Sequence, residues 1–273
     1  MTDGIQFVEA NGLKFAYIEE GSGPLVLLLH GFPDTAHTWD DLRPRLAANG
    51  YRAVTPFMRG YHPSAIPDRD PAPETLAHDP LALIEALGAR DAIVIGHDFG
   101  AAAGYGAAAL GPDRVKKLFV IGIPHPAALR PSPKQLWRAR HFAAYKLPGA
   151  ADRFARNDFA ALPAIYRRWS PTWEPDPTEF DAVRAAFSDR ASLNAAFGYY
   201  RRLSPIPSAS LRARITVPVV AFAGLDDPMV TPSDYRGAAR MFDGEYVVEE
   251  VRGGHFMHRE HPEAFAERLL KHL

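Results

Sequence analysis

Leu25-Val26-Leu27-Leu28-Leu29 is a run of five aliphatic residues without a polar face. A run this short and uniform reads as a strand buried on both sides, the situation that arises where helices cover both faces of a parallel sheet. The remainder of the chain repeats the theme. Tyr51–Thr55, Ala92–Ile95, Leu118–Gly122, Val217–Ala223 and Tyr246–Val251 also read as strands, and helical segments alternate with them. Helices are expected around Thr75–Leu87, over Phe99–Leu110 and over Pro262–Leu270, the last with proline in its first turn. Trp39, Leu42 and Leu46 recur at helical spacing, and Asn49-Gly50 would end that helix. Ile5–Glu9 and Leu13–Glu19 flank Ala10-Asn11-Gly12, a hairpin signal. The fold class expected is α/β, with a mostly parallel sheet of about eight strands.

One segment breaks the alternation. From about His125 to Pro207 no strand pattern is present, and Trp, Tyr and Arg recur in helical periods. Pro131, Pro133, Pro148, Pro163, Pro171, Pro175 and Pro177 interrupt them. Strand–helix alternation then resumes. The chain therefore reads as a sheet core over residues 1–124 and 206–273, with a helical cap inserted at residues 125–205.

Several classes of function are excluded early. With 31 Lys and Arg against 32 Asp and Glu, the net charge is −1, so the electrostatic footprint of a nucleic-acid binder is missing. The Leu25–Leu29 run is far too short to span a bilayer, which argues against a membrane protein. Met1–Glu9 has no basic stretch leading into an apolar one, so a cytoplasmic location is expected. The absence of cysteine removes disulfides, thiolate catalysis and cysteine-ligated zinc. His255, His258 and His261 recur every three residues, but Gly253-Gly254 and Pro262 make one helix through them doubtful, so no metal is expected. No Gly-x-Gly-x-x-Gly or Walker A run is present, and no cofactor is implied. The pairs Arg138/Arg140, Arg167/Arg168 and Arg201/Arg202 read as solvated helix faces.

The chemistry concentrates at strand ends. Gly96-His97-Asp98-Phe99-Gly100 stands between the strand Ala92–Ile95 and an Ala-rich helix. A Gly-x-nucleophile-x-Gly run at such a junction makes a turn too tight for side chains around its centre, and it presents the central residue at the positive end of a helix. His30-Gly31-Phe32-Pro33 follows the Leu25–Leu29 strand. Gly224-Leu225-Asp226-Asp227 follows Val217–Ala223, and Gly253-Gly254-His255-Phe256 follows Tyr246–Val251. An acid and a histidine thus come after the candidate nucleophile in chain order, each where open α/β sheets place functional groups.

These motifs, together with Arg59-Gly60-Tyr61 and with Glu260 and Pro262 after His255, resemble the epoxide hydrolases of the α/β-hydrolase superfamily over nearly the whole chain. The family's Arg-Gly-Tyr-Gly-x-Ser becomes Arg59-Gly60-Tyr61-His62-Pro63-Ser64 here. The resemblance implies Asp98 as nucleophile, His255 as base and Asp227, three residues after Gly224, as the acid orienting it. It implies an oxyanion hole from the backbone N–H groups of Phe32 and Phe99. It implies a lid in the proline-broken segment, with a tyrosine before an arginine as proton donor, which is Tyr200. The second donor position, seven residues before Pro148, holds His141, with Tyr145 as the poorer candidate. Phe32, Pro33, Phe99 and Tyr145 are expected to line a substrate site for a small apolar epoxide, with water as co-substrate.

Aspartate rather than serine at the elbow narrows the chemistry. A serine attacking saturated carbon would end as an ether, whereas a carboxylate forms an ester that water can cleave. Asp98 thus points to epoxide opening or carbon–halogen cleavage. Related dehalogenases place Trp or Arg after the nucleophile to hold halide or carboxylate, and Phe99 can do neither. Haloalkane or haloacid dehalogenation is the alternative, and a non-catalytic ligand-binding homologue is a further one.

Overall fold

The computed structural model describes residues 4–129 and 133–273, so Pro131 lies outside the described residues. Eight strands form one sheet: β1 (Ile5–Ala10), β2 (Leu13–Glu20), β3 (Leu25–Leu29), β4 (Arg52–Pro56), β5 (Ala92–His97), β6 (Val115–Ile121), β7 (Val219–Gly224) and β8 (Tyr246–Val251). Their order is β1-β2-β4-β3-β5-β6-β7-β8. The β1–β2 and β2–β4 pairs are antiparallel and all others parallel.

The uniform aliphatic run acquires its reason here. Val26 and Leu28 of β3 join an apolar layer with Trp39, Leu46, Phe222 and Phe265. Leu27 and Leu29 join the opposite layer, with Val94, Leu118 and alanines of the helix Phe99–Leu110. Alternate side chains feed two covered faces, so neither set can be polar. Because β3 is flanked by β4 on one side and β5 on the other, the connections leaving β3 and β5 diverge, opening the crevice in which α/β sheets bind ligands.

Two expectations of local structure are corrected. The helix expected to run from Trp39 through Leu46 is two pieces, a 3-10 turn at Ala36–Trp39 and an α-helix at Leu42–Ala48. Pro44 in the first turn of the second piece has no N–H for the carbonyl of Asp40, so one continuous helix is broken there. Strand β6 begins three residues before its apolar run, because Lys116 and Lys117 lie at a sheet end where their amines reach Asp91 and the His272 carbonyl.

Between Ile121 and Val219 the described residues are helical or irregular. Helices at Arg140–Lys146, Asp181–Ser188 and Arg190–Arg202 lie beside the carboxyl ends of β3 and β5, where Phe32 and Phe99 meet their rings, and the helix Leu162–Trp169 reaches the Pro33 carbonyl through Tyr166. Arg201 is no purely solvated residue: its guanidinium forks onto both oxygens of Asp70 at 2.7 Å, tying this helical segment to a core loop. No helix among the described residues is long and apolar enough to cross a membrane.

Candidate active site

Asp98 has φ 53° and ψ −116°, a conformation costly to a residue with a β-carbon. The turn is imposed by crowding. A β-carbon on Gly100 would strike the carbonyls of Leu29 and His30, and one on Gly31 would strike the Asp98 side chain. Strands β3 and β5 therefore approach closely enough for backbone of one to meet side chain of the other. The Phe32 N–H donates to Asp98 Oδ1 at 2.9 Å. Phe99 opens the helix Phe99–Leu110, so its N–H has no intrahelical acceptor. His30 fixes the first of these loops: its Nδ1–H donates to the Gly31 carbonyl at 3.0 Å, and its Nε2 accepts from the Met58 N–H at 2.9 Å. That arrangement needs a neutral ring, and burial lowers the His30 pKa to about 4.

Asp98, His255 and Asp227 lie in line. His255 Nε2 is 3.6 Å from Asp98 Oδ2, and its Nδ1 is 3.4 Å from Asp227 Oδ2. These are ion-pair distances, longer than good hydrogen bonds. Asp227 is held by its other oxygen, which accepts from the Met229 and Val230 N–H groups at 2.6 and 3.4 Å. Asp226 serves a separate purpose. Its carboxylate accepts from the Gly253 N–H at 3.1 Å and so joins the loops after β7 and β8. The histidine's own backbone is pinned at both ends. Its N–H donates to the Trp169 carbonyl at 2.8 Å, and its carbonyl accepts from His97 Nε2 at 3.0 Å. His97 must donate from Nε2, and its charged form is disfavoured, since burial lowers its pKa to about 3.

The charges balance in an informative way. Burial alone would lower the His255 pKa, yet Asp227 and Asp98 together raise it to about 9. Burial likewise opposes ionisation of Asp98, but His255 and the Phe32 N–H hold its carboxyl below the usual 3.8. Both shifts favour imidazolium and carboxylate in this pair.

Above the carboxylate stands a wall of rings. Tyr200 is buried, with centroid distances of 5.2 Å to Phe32, 5.0 Å to Phe99 and 4.9 Å to Tyr145. Burial, and secondarily the charge of Asp98, push its pKa well up, so its hydroxyl keeps its proton. His141 lies 6.1 Å from Tyr200 and 5.1 Å from Trp169, which in turn is 5.3 Å from His255. Its pKa is lowered to about 4 by burial, and its Nδ1 makes a long 3.3 Å contact with the Arg138 carbonyl. Tyr145 packs on Phe32 at 5.6 Å, and burial raises its pKa to about 12. Pro33 turns its carbonyl to the Tyr166 hydroxyl, which donates to it at 2.8 Å.

All nine residues singled out in the sequence thus lie in or beside one crevice. His258 and His261 do not join His255 around a common point: His258 is buried with Nε2 2.8 Å from Thr38 Oγ1, while His261 is half-exposed. Among the described residues no three acidic or histidine side chains are grouped as metal ligands. Missed from the sequence were Asp34, Tyr166, Trp169, Ser170 and Arg259, which hold the loops in place. Asp34 directly follows His30-Gly31-Phe32-Pro33, a signal that could have drawn notice. The others are long-range partners with no local signature.

The chain is similar to known proteins over nearly its whole length. The α/β hydrolase fold family model matches residues 24–262. An AB hydrolase superfamily protein of Bacillus subtilis, YfhM, is 28% identical over 99% of both chains. Epoxide hydrolase A of Mycobacterium tuberculosis is 28% identical over 98% of this chain and 96% of its own. Among solved structures, epoxide hydrolase A of Mycobacterium thermoresistibile superimposes with a TM-score of 0.84 at 26% identity, covering 98% of this chain and 97% of that one. The chain belongs to the α/β hydrolase fold family and is epoxide hydrolase-like within it.

Proposed function

We propose that this α/β hydrolase is an epoxide hydrolase that opens a small apolar epoxide to a vicinal diol through an ester on Asp98. One observation carries the reading: a carboxylate stands at the elbow with one oxygen on the Phe32 N–H and the other facing His255. Oδ2, which the Phe32 N–H leaves unbonded, is the nucleophile and attacks an epoxide carbon. As the carbon–oxygen bond breaks, Tyr200 protonates the leaving oxygen, which stays attached to the product. His141 is its partner, in the Nε2–H form, a tautomer that gives up only the long contact to Arg138. Residues 125–205 act as the cap that brings these donors over the site.

Ester formation then creates the base. Esterified Asp98 carries no charge, so one of the two carboxylates that raise His255 disappears and burial regains influence. The proton His255 releases balances the one taken up by the alkoxide through Tyr200. Neutral His255, oriented by Asp227, next removes a proton from water, whose oxygen attacks the Asp98 carboxyl carbon. The negative charge develops on Oδ1, beside the Phe32 and Phe99 N–H groups. Collapse expels the diol oxygen with the His255 proton, and the proton left on the new carboxyl group passes to His255, which restores the carboxylate and the imidazolium.

The neighbour of the nucleophile favours this over dehalogenation, since the Phe99 side chain has no donor for a departing halide. A single turnover on styrene oxide in ¹⁸O-water tests the mechanism. Label should enter the protein at Asp98, and a diol carrying all of the label would rule out the ester.

A further inference from the structure

One buried guanidinium joins three parts of the molecule that the reaction needs together. Arg259 stands four residues after His255, with its side chain 11% exposed. Its Nη1 donates to Asp34 Oδ2 at 3.0 Å and to the Tyr166 hydroxyl at 3.3 Å. Its Nη2 donates to the Glu179 carbonyl and carboxylate at 2.9 and 2.5 Å. The guanidinium also lies over the Tyr166 and Trp173 rings, 5.6 and 5.4 Å from their centroids.

Two of these partners, Asp34 and Tyr166, lead to reacting groups. Asp34 closes the turn that carries Phe32: its N–H donates to the Gly31 carbonyl at 3.1 Å, and its Oδ1 accepts from the Thr35 N–H at 2.9 Å. Tyr166 bonds the Pro33 carbonyl of the same turn, and its ring stacks on Phe256, the neighbour of His255, at 4.3 Å and 4°. Further bonds clamp the histidine loop to the cap segment: the Phe256 N–H donates to Ser170 Oγ at 3.0 Å, and Glu260 accepts from the Gly254 N–H at 2.8 Å and from Thr172. Planar, five-donor arginine offers a rigid, extended fork to acceptors on several sides, where lysine offers three donors on one compact nitrogen.

We propose that Arg259 is a positioning residue that keeps the Phe32 N–H and His255 in register with each other, coupling oxyanion hole to base. The inference rests on the proposed two-step reaction. Both touch Asp98 at rest, but they act together on developing charge only in ester hydrolysis, whereas the attack starts from a carboxylate that the strained elbow also fixes. Loss of Arg259 therefore slows the second step more than the first.

The test uses the full-length protein with styrene oxide, comparing wild type with Arg259→Met, Arg259→Lys and Asp34→Asn. In Arg259→Met, kcat should fall ~10-fold or more, less than the ~10²–10³ lost when an oxyanion donor is removed outright, because the donor is displaced and not deleted. The ratio kcat/KM, set by ester formation, should stay within about twofold. Intact mass should show the protein accumulating the epoxide adduct. Asp34→Asn should move in the same direction, and Arg259→Lys should recover part of kcat. A folded Arg259→Met with unchanged kcat overturns the proposal, as does a fall in kcat and kcat/KM together without adduct. If Arg259→Met does not fold, Asp34→Asn and Arg259→Lys decide by the same criteria. Wild type that neither turns over epoxides nor forms adduct removes the two-step reading, and this inference with it.

Discussion

The floor and the roof of the crevice are built on different physics. In the floor, polar atoms of the line from Asp98 to Asp227 are anchored by hydrogen bonds: Asp98 Oδ1 by the Phe32 N–H, Asp227 Oδ1 by the Met229 and Val230 N–H groups, and the His255 peptide by the carbonyl of Trp169 at a helix end and by the His97 side chain. In the roof, the Tyr200 and Tyr145 hydroxyls make no hydrogen bond to a described residue, and their rings are held by ring-to-ring packing. Hydrogen bonds to backbone fix direction to a few tenths of an ångström, as charge chemistry requires. Ring packing fixes position but leaves hydroxyls free to turn. The floor is thus suited to one reaction, while the roof can adapt to the shape of what it covers.

The strongest test of the floor is Asp98→Asn. Turnover should fall ~10⁴-fold or more, because the nucleophile is gone and the remaining groups cannot replace it. The same variant should lower the His255 pKa below its present value of about 9, since the neutral amide no longer favours imidazolium. Titration of the ring protons by NMR measures this directly. An unchanged pKa would mean that Asp227 alone sets the charge of His255, and the proposed creation of the base by ester formation would be wrong.

The roof should respond less. Tyr200→Phe is expected to slow ester formation ~10²-fold, the lower range for loss of a general acid, and to leave ester hydrolysis largely intact. His141→Phe should cost ~10-fold in the same step, because neutral His141 supplies a shared hydrogen bond rather than a proton. Rapid-quench measurement of adduct formation separates the two steps. Equal losses in both steps for Tyr200→Phe would show that the roof also positions the floor.

The sequence was most legible where local sterics decide structure. The apolar run Leu25–Leu29 and the glycines around Asp98 have one structural solution each, and the α/β class follows from them. Three strand-end motifs in chain order likewise place Asp98, Asp227 and His255 near one another, because parallel strands bring their carboxyl ends to one edge. The place of Asp227 three residues after Gly224 singles it out by resemblance from the adjacent Asp226, and in three dimensions the two part, Asp226 meeting the Gly253 N–H and Asp227 facing His255. Arg259 lay wholly out of reach. Its partners, Asp34 and Glu179, are 225 and 80 residues away in the chain, and nothing in a stretch reading His-Arg-Glu-His announces a buried cation.

The gentlest test concerns the tether between the two regions. Arg201 adjoins Tyr200 and forks onto Asp70, with both side chains about one-third exposed. An ion pair that open to solvent contributes at most ~1 kcal/mol. Asp70→Asn should therefore lower Tm by ~2 °C or less at neutral pH. The hydrogen bonds from Arg201, against a smaller opposing effect of burial, hold the Asp70 carboxyl below its usual 3.8. A carboxylate with a depressed folded-state pKa stabilises above the unfolded value and loses that contribution as pH falls through the folded one. The Tm difference between wild type and variant should accordingly shrink below pH 3.8 and vanish under the folded-state pKa. Turnover should change less than about twofold, because packing against Phe32 and Phe99, rather than the ion pair, sets Tyr200. A ten-fold loss of kcat would reverse that ranking and make the roof, like the floor, dependent on a polar anchor.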